Sequence, residues 1–232
     1  MRLEGKLALI TGATRGIGAA VAKRFAAEGA HVILLGRTQG ALEELDDEIG
    51  EAGGETTLVP LDLRQFDEID RLGAALYERF GHLDILVGNA GVLPYLAPAH
   101  HLDPKVWAEI IDVNLTANWR LIRSLDPLLR RAEAGRALFT TCVAGRETEP
   151  YWNAYAASKA ALETLVKSYA AEVALSAICV NLVDPGPVHT RLRLNAFPAE
   201  DKALLRKPEE VTEPFLAAAD PDCHSNGEIF GL

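Results

Sequence analysis

The chain has 232 residues, of which 49% are hydrophobic and 24% charged, enough for one large domain or two small ones. Its formal net charge of −10 argues against binding to nucleic acid or to an anionic membrane. With no apolar run of the ~18 residues that cross a bilayer, no signal-peptide core and no metal-binding or disulfide pattern of cysteines, we expect a soluble, cytoplasmic protein without a metal site.

The first predicted element is a buried strand over 6–11, which leads into the glycine-rich segment T-G-A-T-R-G-I-G, Thr11 to Gly18. An amphipathic helix and a second apolar run, His31 to Leu35, follow. This order of strand, glycine-rich turn, helix and strand is typical of a dinucleotide-binding unit. Its glycines let the backbone approach a pyrophosphate at the helix N-terminus. Turns need glycine in any case, so the position of the motif carries more weight than its letters.

Helices and strands then alternate along the chain. Helices are predicted over 39–53, 65–80, 104–132 (with Pro127 inside), 152–175 and 210–219, and strands over 56–61, 83–88, 136–141, 177–183 and 228–232. The segment 188–208 breaks this rhythm and is predicted to be a substrate loop with a short helix at 200–206. The alternation predicts an α/β fold, a single domain over 1–232 with a doubly wound parallel β-sheet and helices on both faces.

Residues with chemical potential follow the predicted strands. They are Gly12 to Gly18, Arg37, Asp62, Asn89 to Gly91, Cys142 and Pro185 to Thr190. In doubly wound sheets, ligands bind beyond the C-terminal ends of the strands. We therefore expect these residues to converge on one site.

Tyr155 and Lys159 lie four residues apart in Y-A-A-S-K, inside a predicted helix, so their side chains share one face. A nearby ammonium favours the phenolate and lowers a tyrosine pKa that is ordinarily ~10. Tyr155 could then give or take a proton near neutral pH. Because Y-x-x-x-K is common, the pair alone could also be an ordinary helix surface.

With T-G-A-T-R-G-I-G, N-A-G, Y-A-A-S-K and P-G-P-V-H-T in that order, the chain resembles the short-chain dehydrogenase/reductase family over nearly its whole length. Its style is closest to 3-oxoacyl-carrier-protein reductases. The resemblance implies a Rossmann sheet of about seven strands and assembly into homodimers or homotetramers. It also implies reversible hydride transfer between a nicotinamide and a carbonyl or alcohol carbon. The final strand ends at Leu232 without the family's V-D-G-G-like tail, which leaves dimer and tetramer both open.

The resemblance also implies roles for single residues. Tyr155 would be the catalytic acid/base, and Lys159 would lower its pKa and hold the nicotinamide ribose. Asn114, in D-V-N-L, would hold a water in the proton relay, although it could also be a helix-surface amide. The implied cofactor-binding residues are Gly12, Thr14, Arg15, Gly16, Ile17, Gly18, Arg37, Asp62, Leu63, Asn89, Ala90, Gly91, Tyr155, Lys159, Pro185, Gly186, Val188 and Thr190.

Within that set, Asp62 would contact the adenine amide. Val188 and Thr190 would fix the nicotinamide carboxamide, although Thr190 could also be an ordinary loop hydroxyl. Asn89 would steady the central strand, and Gly88 replaces the first Asn of the family's N-N-A-G.

The chain departs from the family at Cys142, which stands thirteen residues before Tyr155, where the resemblance implies a catalytic serine. A thiol is a weaker hydrogen-bond donor and acceptor than a hydroxyl. Thr141 could compensate after a small shift. Three readings stay open: an active enzyme with Cys142 in the serine's role, a weak enzyme, and a dinucleotide-binding protein that has lost catalysis. A nucleophilic Cys142 is disfavoured because the sequence pairs it with no recognisable base.

The sequence predicts NADP(H) rather than NAD(H) as cofactor. About twenty residues beyond the glycines, where NAD sites place an acid, the chain has Leu35-Gly36-Arg37. Arg37 could pair with a 2′-phosphate, and Arg15 adds a second cation, although both could be solvated surface arginines.

The predicted substrate is a small carbonyl or alcohol compound, with an acyl thioester as one form. Tyr95, Val143, Tyr151 and Trp152 are expected to line an apolar, aromatic pocket. In the loop that also contains Phe197, Arg191 and Arg193 could meet an anionic substrate or an acidic carrier protein, or remain solvated.

Overall fold

The computed structural model describes residues 1–147 and 149–231. Within them, seven parallel strands form one sheet of order β3-β2-β1-β4-β5-β6-β7. The strands are β1 Leu7–Thr11, β2 His31–Gly36, β3 Glu55–Pro60, β4 Ile85–Gly88, β5 Arg136–Thr140, β6 Cys179–Asp184 and β7 Ile229–Gly231. The helices are α1 Gly16–Ala27, α2 Gln39–Glu51, α3 Phe66–Phe80, α4 Pro104–Ile111, α5 Ala117–Leu129, α6 Asn153–Glu172, α7 Arg191–Ala196 and α8 Glu213–Ala219.

The doubly wound fold predicted from the sequence is confirmed. Successive side chains of β1 point to opposite faces, so Leu9 packs in a core with α3, α5 and α6, whereas Ile10 packs in a core with α1, α2 and α8. The strand order reverses between β1 and β4, which makes their C-terminal ends the topological switch point. The predicted strand end at Leu232 lies outside the described residues.

Three helix predictions need correction. The helix predicted over 104–132 consists of α4 and α5, which are joined by a π-helical turn, Asp112–Thr116. Nothing in the local sequence predicted this wider turn. The short helix predicted at 200–206 is wrong, because this segment holds only a 3₁₀ turn, Lys202–Leu204.

The helix of the predicted substrate loop is α7, which lies earlier in the chain. Thr190 caps it by accepting a hydrogen bond from the Arg193 backbone N–H at 3.3 Å. The helix predicted over 210–219 also begins differently, as a 3₁₀ turn, Pro208–Val211, that continues into α8. No helix in the described part of the chain is long and apolar enough to cross a membrane.

Close packing of α3 on α5 yields a stability prediction. A Cβ added to Gly73 would lie 2.1 Å from the Ser124 carbonyl oxygen, so Gly73→Ala must separate the two helices. We expect the free energy of unfolding to fall by ~1–3 kcal/mol in urea denaturation. The control is Gly50→Ala in α2, where an added Cβ meets nothing within 4 Å and should be neutral or stabilising. Equal effects of the two substitutions would contradict the packing argument.

Candidate active site

A cavity of about 1720 Å³ opens over the C-terminal ends of the strands. It brings together nearly all the residues that the sequence placed at this edge. The predicted site residues that line it are Gly12, Thr14, Arg15, Gly16, Ile17, Arg37, Asp62, Leu63, Asn89, Ala90, Gly91, Cys142, Tyr155, Lys159, Pro185, Gly186, Val188 and Thr190. Gly18 and Asn114 are not in this lining and lie behind it.

The turn between β1 and α1 offers backbone donors to the cavity. Gly12 and Gly16 have φ angles of +65° and +57°, which other residues adopt only with strain. Among the described residues, no side chain caps the N-terminus of α1, so its first N–H groups are available to an anion. A Cβ on Gly12 would lie 3.0 Å from Ala90 Cα, so the backbone itself forms the floor here. This cradle fits a dinucleotide pyrophosphate.

Gly18 has a packing role in the structure, and its expected contact with the cofactor stays a prediction. A Cβ at this position would lie 2.2 Å from the Gly12 carbonyl oxygen and 2.7 Å from Asn89 Nδ2. A side chain there would therefore push α1 away from the turn. Gly18 supports the cradle by letting helix and turn approach each other.

The cavity lining beside β2 and α2 is basic. Arg15 and Arg37 both line it, and Thr38, which the sequence reasoning missed, lies beside them at the start of α2. Asp62 is already engaged, because Arg64 donates to its carboxylate from Nη2 at 2.7 Å and from the backbone N–H at 3.0 Å. The hydrogen bonds from Arg64 hold the pKa of Asp62 below its usual value, despite partial burial.

Asn89 ties together the ends of three neighbouring strands. Its Nδ2 donates to the Thr11 carbonyl at 3.1 Å, and its Oδ1 accepts from Thr140 Oγ1 at 3.3 Å. The structure also explains why Gly88 stands where the family motif has asparagine. An added Cβ would lie 2.5 Å from both Asn118 Oδ1 and Phe139 Cδ1, so those two side chains occupy the space.

Asn114 sits in the π-helical turn and is fully buried. Its Oδ1 accepts from the Val92 N–H at 2.8 Å, and its Nδ2 donates to the Val92 carbonyl at 3.1 Å and to Ser158 Oγ at 3.2 Å. Its backbone carbonyl accepts from Asn118 Nδ2 at 2.9 Å. Asn114 therefore joins the loop after β4 to α6. Its expected contact with a relay water stays a prediction.

Tyr155, Cys142 and Lys159 meet where β5 ends. Tyr155 is 7% exposed, and its Oη lies 4.0 Å from Cys142 Sγ. Lys159 Nζ donates to the Thr140 carbonyl at 2.7 Å and lies 5.7 Å from the centroid of the Tyr155 ring. The helix therefore presents phenol and ammonium together, as their spacing predicted, with a thiol in place of the family's serine.

Burial is the largest influence on the pKa values of both Tyr155 and Lys159. It raises the pKa of Tyr155 well above its ordinary value, and the neighbouring Cys142 and Asp184 raise it further. Burial lowers the pKa of Lys159, and the negative charges of Asp184 and Glu163 oppose that lowering. The expected lowering of the Tyr155 pKa by Lys159 is therefore wrong for the described arrangement, since desolvation of the phenolate outweighs it.

Three charged residues beside this group were missed by the sequence reasoning. Glu163 is buried on α6, four residues after Lys159, and accepts from Thr141 Oγ1 and from Arg146 Nη1, each at 2.7 Å. Arg146 also pairs with Asp184 at the end of β6. The i, i+4, i+8 spacing of Tyr155, Lys159 and Glu163 was a readable signal of one shared face.

The cavity wall next to Tyr155 is aromatic. The Trp152 ring centroid lies 5.6 Å from that of Tyr155 and 5.7 Å from that of Phe197. Val143, Tyr151 and Trp152 line the cavity as expected, whereas Tyr95 is not among its lining residues, which corrects that prediction.

The two loop arginines differ in their surroundings. Arg193 is held by Glu200 through hydrogen bonds of 2.7 and 2.6 Å and lies over the Phe197 ring. Arg191 is exposed at the cavity lining. Arg193 is thus occupied within the protein, and Arg191 is the arginine of the predicted pair that faces outward.

Comparison with known proteins gives consistent matches. A family model described as short chain dehydrogenase matches residues 6–201. The uncharacterized oxidoreductase YciK of Escherichia coli is 35% identical, over 92% of this chain and 86% of its own. The 3-oxoacyl-[acyl-carrier-protein] reductase FabG of Thermotoga maritima is 33% identical, over 100% and 98%. A crystal structure of a short chain dehydrogenase from Escherichia coli CFT073 in complex with NADPH has a TM-score of 0.93 and 33% identity, over 99% and 98%.

The buried phenol gives a direct prediction. We expect Tyr155 to stay protonated in the protein without cofactor over about pH 6–9, because burial raises its pKa above the ordinary ~10. The measurement is the phenolate absorbance of wild type minus that of Tyr155→Phe across a pH titration. Tyr77→Phe, which removes an exposed tyrosine, calibrates the signal of one phenol. A difference signal with its midpoint near neutral pH would show that Lys159 outweighs burial.

Proposed function

The chain belongs to the short-chain dehydrogenase family, and on that premise we propose that it is an NADP(H)-dependent reductase of apolar ketones, with 3-oxoacyl thioesters as one substrate class. The observation that carries this proposal is the meeting of Tyr155, Lys159 and Cys142 at one end of a cavity whose other end is basic. Hydride transfer in this family acts on CH–OH and C=O groups. A carbonyl-reducing role fits a phenol that burial keeps protonated.

Two features support NADP(H) as the cofactor. Arg37 and Arg15 both line the cavity and could pair with a 2′-phosphate, and no carboxylate follows β2 at the position where an NAD site has one. A similar protein is also known in complex with NADPH. The residues that would hold this cofactor are the glycine turn and α1 N-terminus for the pyrophosphate, Lys159 for the ribose, and the loop from Pro185 to Thr190 for the carboxamide.

The proposed mechanism moves one hydride and one proton to the carbonyl. NADPH, when bound, supplies the hydride to the carbonyl carbon. Tyr155 donates its phenolic proton to the carbonyl oxygen, which completes the alcohol. Cys142 directs its S–H toward the same oxygen, and Lys159 offers a positive charge behind the phenolate that forms. Burial keeps the phenol neutral and so available as a proton donor. Because the same burial makes Tyr155 a weaker acid, the positive charge of Lys159 is needed to stabilise the phenolate that forms.

An apolar substrate is supported by the wall around Tyr155. Trp152, Phe197 and Val143 line the cavity there, and Arg193, which lies over the Phe197 ring, is held by Glu200. An acyl chain or an aromatic ketone would bury apolar surface against these rings. The acidic residues Glu147 and Glu149 in the same lining disfavour a substrate with a negative charge beside the carbonyl.

A non-catalytic dinucleotide-binding protein is the second candidate function. It is favoured by one observation, the 4.0 Å separation between Cys142 Sγ and Tyr155 Oη, which is long for a hydrogen bond that positions a substrate.

For the assembly, we propose a homodimer or homotetramer through α4–α5 and α6. Trp107 and Trp119 on the first of these surfaces are 46% and 44% exposed, as large apolar side chains at an interface would be in one protomer.

The cofactor proposal is tested by Arg37→Gln. We expect KM for NADPH to rise about tenfold or more, because a charge-assisted hydrogen bond to the 2′-phosphate is lost, while KM for NADH changes little. Arg71→Gln, an exposed arginine on α3 outside the cavity, is the control and should alter neither value. A wild-type preference for NADH would contradict the proposal.

The role of the thiol is tested by Cys142→Ser with a panel of aromatic ketones and 3-oxoacyl thioesters. We expect turnover in wild type and about a tenfold or greater rise in kcat for the serine variant, since a hydroxyl is the stronger donor to the developing oxyanion. Cys142→Ala should lower kcat, and Cys179→Ser on β6 should leave it unchanged. No turnover in wild type or serine variant, with tight NADPH binding, would favour the second candidate function.

A further inference from the structure

We propose that Arg146 is a positioning residue that holds three parts of the site in register: the Cys142 segment, the Tyr155 face of α6, and the Asp184–Gly186 turn. The inference rests on the proposed function for what these parts do, and on geometry for how they are held. Arg146 follows the short 3₁₀ turn Val143–Gly145, so its backbone belongs to the segment that begins at Cys142.

The two arms of the Arg146 guanidinium reach different elements. Nη1 donates to Glu163 Oε1 on α6 at 2.7 Å, and Nη2 pairs with Asp184 Oδ2 at the end of β6. The carboxylates are well shielded, with side-chain exposures of 7% for Glu163 and 14% for Asp184. Arginine is suited to this task because its planar fork can serve two acceptors at once.

Each partner of Arg146 is in turn bonded to a functional segment. Glu163 Oε1 also accepts from Thr141 Oγ1 at 2.7 Å, next to Cys142 in the chain. Asp184 Oδ1 accepts from the Gly186 N–H at 3.0 Å, which shapes the turn that faces the cofactor. One guanidinium therefore connects the thiol segment, the helix of the proton donor and the cofactor turn.

The segment that carries Arg146 also packs closely against α6. A Cβ added to Gly145 would lie 3.1 Å from the Lys159 carbonyl carbon and 3.2 Å from Lys159 Cβ. The Cys142–Arg146 segment thus lies directly on the face of α6 that presents Lys159. A shift of Arg146 is expected to move Cys142 relative to Tyr155, and misplacement by 1 Å can cost about 100-fold in rate.

Arg146 also balances charge at the site. The groups that face Tyr155 and Lys159 are Cys142 from the segment after β5, Asp184 from β6 and Glu163 from α6 itself. The negative charges of Asp184 and Glu163 favour the protonated form of the Lys159 ammonium, and that of Asp184 also favours the protonated phenol of Tyr155. Arg146 is bonded to both carboxylates, so its removal leaves two partly buried anions uncompensated. Loss of Arg146 should therefore alter the pH profile as well as the rate.

The first measurement compares Arg146→Gln with wild type in the NADPH-dependent reduction and in the reverse oxidation of the product alcohol. We expect kcat to fall at least about tenfold, with a smaller change in KM for the carbonyl substrate, because the chemistry and not the apolar pocket is disturbed. The oxidation needs deprotonated Tyr155. In Arg146→Gln, the pH below which the oxidation rate falls (the acid limb of the pH profile) should therefore rise by about half a unit or more. The cause is the two uncompensated carboxylates, which raise the pKa of the Tyr155 phenol.

Two further variants separate charge from geometry. Arg146→Lys keeps the charge but cannot serve both carboxylates with a planar fork, so kcat should remain low while the pH limb returns close to wild type. The double variant Arg146→Gln/Asp184→Asn restores the net charge of the cluster but not its link to β6. It should also recover the pH limb without recovering kcat.

The control is Arg71→Gln, which removes an exposed Arg–Glu pair on α3 and should change neither kcat nor the pH limb. Thermal unfolding and circular dichroism identify the variants that fold. If Arg146→Gln is unfolded, Arg146→Lys is measured in its place. Wild-type kcat and an unmoved pH limb in folded Arg146 variants would overturn the proposal.

A wild type without turnover would count against the proposed function alone. The Arg146 proposal is then decided by NADPH affinity, measured by nicotinamide fluorescence. About tenfold weaker binding by Arg146→Gln supports it through the Asp184–Gly186 turn, and unchanged binding overturns it.

Discussion

The contact between α6 and the C-terminal end of β5 is the constraint on which the active site depends. Lys159 Nζ is bonded to the Thr140 carbonyl, Glu163 to Thr141 Oγ1, and Gly145 packs on the Lys159 backbone. These contacts fix the rotation of the helix about its axis. At 3.6 residues per turn, a register change of one residue would turn Tyr155 by about 100° away from Cys142. Chemistry at this site therefore follows from how a helix is seated on a strand end.

The packing of α6 on the end of β5 buries several ionisable groups. The structure gives charged or carbonyl partners to some of them, but not to the Tyr155 phenol. Lys159, Glu163 and Asp184 are shielded from water, where an unpaired charge would be costly. Each has a charged or carbonyl partner, whereas the Tyr155 phenol lies beside a weakly polar thiol. Burial therefore falls hardest on the phenolate and raises the pKa of Tyr155. A group kept neutral in this way is suited to give its proton only when a carbonyl oxygen gains negative charge.

The sequence predicted the sheet and most of the site because parallel strands end at one edge, so residues that follow strands converge whatever their separation in the chain. It could not predict that Gly18 packs against Gly12 rather than lining the cavity, since both roles demand glycine. It also missed Arg146, whose partners Glu163 and Asp184 come from other elements. The helix at Arg191–Ala196 was misplaced because Thr190, interpreted as a cofactor contact or an ordinary loop hydroxyl, is also its N-cap.

The hydrogen bonds at the end of β5 indicate which side chain could take the role of the serine that Cys142 replaces. Thr141 was a possible substitute, but its Oγ1 donates to buried Glu163 at 2.7 Å, so turning it toward a substrate would leave that carboxylate short of a partner. Cys142 is then the side chain of this segment that can assist Tyr155 at the carbonyl oxygen. A thiol donates weakly, but sulfur is larger than oxygen and reaches further across the 4.0 Å to the phenol. In the proposed mechanism the site is thus complete in its proton donor and its charges, and weakest at the second hydrogen bond to the oxyanion.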